Sequence, residues 1–271
     1  MSLVETDWLK KNIGSVKIID CSWHMPQTKR SGIEEYRNQH IPNSIFFDLD
    51  ANSKKEIDLP HMLVNQSDWE QIVSKMGVKN KDEIVIYDNS DVISSCRCWF
   101  NFIYFGHNPK LVHVLNGGLK KWIKENNEVT KNIINIQPSN YKSFEKKELV
   151  KNKKSINQNI NEKKFKVIDA RSKERFEGKV QEPRKGLRSG SIKNSFCIPF
   201  DQCLNENKTF KSKENLKLIF ETCLENINEK NIVFSCGSGV TASVLALAYS
   251  LINNKYMPTI YDGSWAEYGK K

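Results

Sequence analysis

Near the end of this 271-residue chain, a cysteine and two spaced glycines follow a short apolar run: Ile232-Val233-Phe234-Ser235-Cys236-Gly237-Ser238-Gly239-Val240-Thr241. Gly237 and Gly239 permit positive φ, so the loop can turn its backbone N–H groups inward. Residues Thr241 to Leu251 read as a helix, and the loop therefore opens onto a helix N-terminus. Unpaired N–H groups and partial positive charge at such a place favour anions. A thiol at its mouth is expected to react as the thiolate. The chemistry is nucleophilic: a sulfur attacks, then carries a charged adduct held by the N–H groups from Gly237 through Ser238, Gly239 and Val240 to Thr241. A phosphatase loop needs an arginine six residues after its cysteine, and here that residue is Ala242.

The run from Cys236 to Thr241 resembles the active-site loop of the rhodanese superfamily. It is more similar to the mercaptopyruvate sulfurtransferase version than to the thiosulfate version, which typically carries basic residues where this chain has Gly237 and Ser238. The resemblance implies a Cys236 persulfide and neither cofactor nor metal. It implies 3-mercaptopyruvate as the small anionic sulfur donor, with pyruvate released. The implied acceptor is a thiol such as thioredoxin or a small thiol, or cyanide in an assay. Thiosulfate sulfurtransfer and persulfide relay to a protein partner are the alternative readings. A donor carboxylate calls for a planar, permanently charged fork. The segment from Glu174 to Gly186 resembles the family's substrate-binding segment, and Arg175 and Arg184 have its spacing of nine residues, with Glu182-Pro183 before Arg184. Arg188 is a substitute for one of them. The family also implies that Ser238 works with a histidine and an aspartate. These match His61, in Leu59-Pro60-His61-Met62-Leu63, and Asp50, eleven residues before it, with Asp48 as the other acidic choice. Aspartate orienting histidine, and histidine polarising serine, is sound proton-transfer logic.

Positioning these groups takes strands and helices, and the chain writes the set twice. Val16 to Asp20 resembles Phe165 to Arg171, and His40 to Asp48 resembles Ser191 to Asp201. Ile84 to Asp88 resembles Ile232 to Cys236, and Leu115 to Trp122 resembles Asp262 to Tyr268. Each pair is separated by roughly 150 residues. Ile84–Tyr87 and Ile232–Phe234 are continuous apolar runs, as strands covered on both faces require. Trp69–Met76 and Asn215–Leu224 have helical spacing, and Thr241–Leu251 is apolar almost all round, hence buried. The expected fold is α/β, with two tandem rhodanese-like domains, each a parallel sheet flanked by helices. The expected boundaries are a non-catalytic domain over 1–130, a polar linker and entry over 131–160, and a catalytic domain over 161–271. In the first copy Asp88 stands where Cys236 stands in the second, and its loop lacks the glycines of a nest. Trp23, Trp99, Trp122 and Trp265 are expected in the core. Arg171 is expected in a structural ion pair, and the histidines other than His61 as ordinary satisfied side chains.

Composition sets outer limits. Lys and Arg number 42 against 32 Asp and Glu, a net charge of +10. The surplus is scattered lysine, which reads as solvated surface with some attraction for small anions. No basic stripe with aromatic partners appears, so nucleic acid is not an expected partner. Seven cysteines at irregular spacing do not form a disulfide framework and point to a reducing compartment, taken as the cytoplasm. Neither a signal peptide nor a membrane span is legible, so no membrane partner is expected.

Overall fold

A computed structural model describes residues 2–271. The chain divides into two compact units. The first holds the described residues up to Lys54, Leu63–Lys146 and Glu206–Thr209; the second holds Lys55–Met62, Lys147–Asn205 and Phe210–Lys271.

In the first unit strands and helices alternate: β1 (Leu3–Val4), α1 (Thr6–Asn12), β2 (Lys17–Asp20), α2 (Gly32–Asn38), β3 (Ser44–Phe46), α3 (Gln66–Lys75), β4 (Ile84–Tyr87), α4 (Ser95–Tyr104), β5 (Val112–Leu115) and α5 (Gly118–Lys124). The second unit repeats the series: β6 (Val150–Lys151), α6 (Lys153–Glu162), β7 (Lys166–Asp169), α7 (Lys173–Phe176), β8 (Phe196–Cys197), α8 (Lys213–Glu221), β9 (Ile232–Ser235), α9 (Val240–Ile252), β10 (Ile260–Tyr261) and α10 (Ser264–Tyr268). The sheets run β1-β5-β4-β2-β3 and β6-β10-β9-β7-β8, which is one topology twice. Every ladder is parallel, and Ile18 pairs with Val85 as Val167 pairs with Val233. Helices cover the sheets, so β4 and β9 are buried at every residue.

The stretch read as linker contains structure. Val150–Lys151 pairs with β10 at the edge of the second sheet, and Asn152 caps α6 by accepting from Ser155 N. Of α6 only Ile156 is buried, so its sequence carries little apolar periodicity. Trp99, Trp122 and Trp265 lie in the core as expected. Trp23 does not: it is half-buried, and its Nε1 donates to Asp50 at 2.9 Å. The five histidines each have a hydrogen-bond partner, for example His113 with Glu83 at 2.8 Å and His107 with Tyr141 at 3.1 Å. All seven cysteines are free thiols. Among the described residues no helix is long and apolar enough to cross a membrane.

Candidate active site

Strand β9 ends at Ser235, and Cys236 begins the turn into α9. The central strand and the all-round burial of α9 fix both ends of this loop. Gly239 caps α9 at φ 79°, the left-handed conformation that glycine adopts without strain. Ser243 Oγ donates back to Gly239 O at 2.9 Å. The N-terminus of α10 closes the other side: Trp265 N donates to Cys236 O and Ala266 N to Gly237 O, each at 2.9 Å. Cys236 N donates to Ser264 Oγ at 3.2 Å, and that hydroxyl donates to Tyr261 O at 2.7 Å. Ser264 reaches this place only at φ 47°, a strained conformation for a residue with a Cβ. The loop carbonyls are thereby turned outward, while the N–H groups of Gly237, Ser238 and Gly239 have no acceptor among the described residues. No acidic side chain occupies the first turn of α9. The Cys236 thiol, 1% exposed, stands beside an unneutralised helix start.

Three other predicted residues of the second unit meet this loop. His61 lies on Lys55–Met62, the segment that packs with the second unit, and Lys270 Nζ anchors that segment by donating to Asp58 O at 2.9 Å. His61 is 4% exposed at φ 60°, and its Nδ1 lies 2.9 Å from Ser238 Oγ. Ser238 Oγ also accepts from Arg184 Nη2 at 3.3 Å. Arg175, on the single turn of α7 capped by Ser172, and Arg184 both approach Gly237. A Cβ placed there would lie 3.4 Å from Arg184 Nη1 and 3.5 Å from Arg175 Nη2. Glycine at 237 thus leaves room between the guanidinium groups and the backbone. Arg188 is not part of this convergence, because it stacks on the rings of Trp265 and Tyr268 at 4.6 and 5.4 Å. Arg171 makes the expected ion pair with Asp169, at 2.7 Å. Asp50 belongs to the first unit, where Trp23 holds its carboxylate, and Asp48 accepts from Ala51 N within its own turn.

The equivalent loop of the first unit is filled by its own side chain. The Asp88 carboxylate accepts from Ser90 N and from Ser95 N, each at 2.8 Å. Burial pushes its carboxyl above the ordinary range despite those two donors. An anion site whose N–H groups are already taken leaves none for a bound anion.

These features define a tandem α/β protein with one open thiol loop and one closed copy of it. The chain belongs to the family described as Rhodanese-like domain, whose model matches residues 5–125 and 152–271. It is 37% identical to thiosulfate/3-mercaptopyruvate sulfurtransferase 1, mitochondrial, of Arabidopsis thaliana, over 98% of this chain and 75% of that one. It is 32% identical to the thiosulfate sulfurtransferase of Rattus norvegicus, over 100% of this chain and 92% of that one. Among solved structures it matches SseA of Escherichia coli, a 3-mercaptopyruvate sulfotransferase, with a TM-score of 0.86 at 29% identity, covering 98% of this chain and 99% of that one. Relatives named for either donor are therefore similar over nearly all of this chain.

Proposed function

We propose that this protein is a sulfurtransferase that takes sulfur from 3-mercaptopyruvate through a Cys236 persulfide. The Cys236 thiolate attacks the donor sulfur. The carbon–sulfur bond breaks, and its electron pair leaves with the enolate of pyruvate. Arg175 and Arg184 receive the donor carboxylate. Arg184 has only protons to give, so the Ser238 oxygen accepts from it and the Ser238 proton is free to point at His61 Nδ1. Ser238 is then placed to protonate the enolate, with His61 restoring its proton. The persulfide lies in the nest of Gly237, Ser238, Gly239, Val240 and Thr241. An acceptor thiolate, from thioredoxin or a small thiol, attacks the outer sulfur. The sulfur–sulfur bond breaks and Cys236 departs as thiolate. Free thiols throughout suit a reducing compartment such as the cytoplasm.

The observation that carries this reading is the contact of Ser238 with both His61 and Arg184. A loop built for thiosulfate gains from cations after the cysteine, whereas this one offers a proton relay that thiosulfate does not need. The test is kcat/KM for 3-mercaptopyruvate and for thiosulfate, each with cyanide and with a thiol acceptor, with Cys236→Ser as control. A strong preference for mercaptopyruvate, lost entirely in the Ser variant, is expected. A preference for thiosulfate overturns the relay, and activity surviving in Cys236→Ser overturns the nucleophile.

A further inference from the structure

Glu182 sits two residues before Arg184 and has a side chain only 2% exposed. Its Oε1 accepts from Arg171 Nη1 at 2.7 Å and from Arg175 Nε at 3.2 Å, and its Oε2 accepts from Arg175 Nη2 at 2.5 Å. The carboxylate thus grips Arg175 along one edge of its fork. Arg171 backs it from the far side and is itself locked, by Asp169 at 2.7 Å, by Gly190 O at 2.8 Å and by the Trp265 ring at 4.2 Å. Charge alternates from the sheet outward: Asp169, Arg171, Glu182, Arg175. The last of these faces the loop at Gly237 beside Arg184.

A carboxylate so close to a site for an anion should weaken anion binding by repulsion. Arg175, with a side chain 21% exposed, has on the other hand several rotamers to lose whenever it binds a ligand. We propose that Glu182 is a positioning residue for donor capture: it holds Arg175 against buried Arg171, so that its guanidinium group stays converged with that of Arg184 over Gly237, ready for the donor carboxylate. The donor class rests on the function proposed above. Repulsion and positioning predict opposite signs for loss of the charge, and that makes the role decidable.

The experiment is steady-state kinetics with 3-mercaptopyruvate for Glu182→Gln and Glu182→Asp, each alone and combined with Arg175→Ala, with thermal melting as a check on folding. Positioning predicts that Glu182→Gln raises KM about tenfold while kcat stays within about twofold. It also predicts that the same change adds less than about twofold in the Arg175→Ala background, because its effect runs through Arg175. Glu182→Asp keeps the buried charge and loses reach, so an intermediate KM is expected, and this variant carries the same criteria if the Gln variant does not fold. An unchanged or lower KM in Glu182→Gln overturns the proposal, as does a full tenfold loss that persists without Arg175. A wild-type enzyme that uses thiosulfate but not mercaptopyruvate overturns the donor assignment alone. The same comparison with thiosulfate then decides Glu182.

Discussion

Asp20 and Asp169 occupy the same place in the two copies, at the last residue of β2 and of β7. The second copy supplies Arg171 two residues later, and that guanidinium pairs with Asp169. The first copy has Ser22 there, an uncharged partner: its N–H donates to Asp20 at 2.8 Å, and the Ser22 and Tyr87 side chains also hydrogen-bond the carboxylate. Desolvation then dominates, with Asp88 adding like-charge repulsion, and the Asp20 carboxyl is pushed from 3.8 to about 7. A buried acid with a raised folded value stabilises the fold fully below its unfolded value. That contribution disappears as pH rises toward about 7, because the unfolded chain ionises freely and the folded one does not. Wild-type stability should therefore fall between about pH 4 and about pH 7, relative to Asp20→Asn, by a few kcal/mol. Urea unfolding of both proteins at several pH values measures this. Parallel stability curves would show that Asp20 ionises as easily folded as unfolded.

At the scale of elements, the two loops divide the chemistry by what fills them. Leu119 N donates to Asp88 O just as Trp265 N donates to Cys236 O, so both loops are pinned by the following helix. In the first unit the pin depends on Gly118, at φ 55°, where a Cβ would lie 2.3 Å from Asp88 O. Gly118→Ala must displace either α5 or the loop and should cost about 2 kcal/mol or more. A urea midpoint equal to that of the wild type would show that the helix start yields freely. Much of this architecture was legible. Ile84–Tyr87 is β4 as expected, and α9 exceeds the expected Thr241–Leu251 by one residue at each end. Helix α3 begins three residues before Trp69 because Asn65 caps it through Asp68 N, and α8 begins two before Asn215 because Ser212 caps it. Both caps are residue types that a capping rule would have found. The edge strand β6 and the polar helix α6 were hidden, since two residues and one buried isoleucine carry no periodicity. The loop pattern pointed to Cys236 and the resemblance to Ser238, Arg175, Arg184 and His61, and the structure brings these residues together around one loop. Glu182 was not singled out, because its meaning lies in two arginines that folding brings to it.

For the molecule as a whole, the net charge of +10 remains to be weighed against the local cations of the site. The surplus lysines are scattered, and exposed charges beyond about 10 Å are largely screened at about 0.1 M salt. In the proposed reaction Arg175 and Arg184, which converge on Gly237, would act on the donor at contact distance, where screening is weak. The two contributions therefore separate with ionic strength. If the scattered charge steers an anionic donor, kcat/KM should fall several-fold as salt rises from about 0.01 M to about 0.15 M and then level off, with kcat nearly constant. The level reached reports the contact interactions alone. Arg184→Ala should lower that plateau without changing the depth of the initial fall, because one lost cation barely alters the long-range field. A kcat/KM indifferent to salt throughout would assign the lysines to solubility and leave donor capture entirely to the loop and its two arginines.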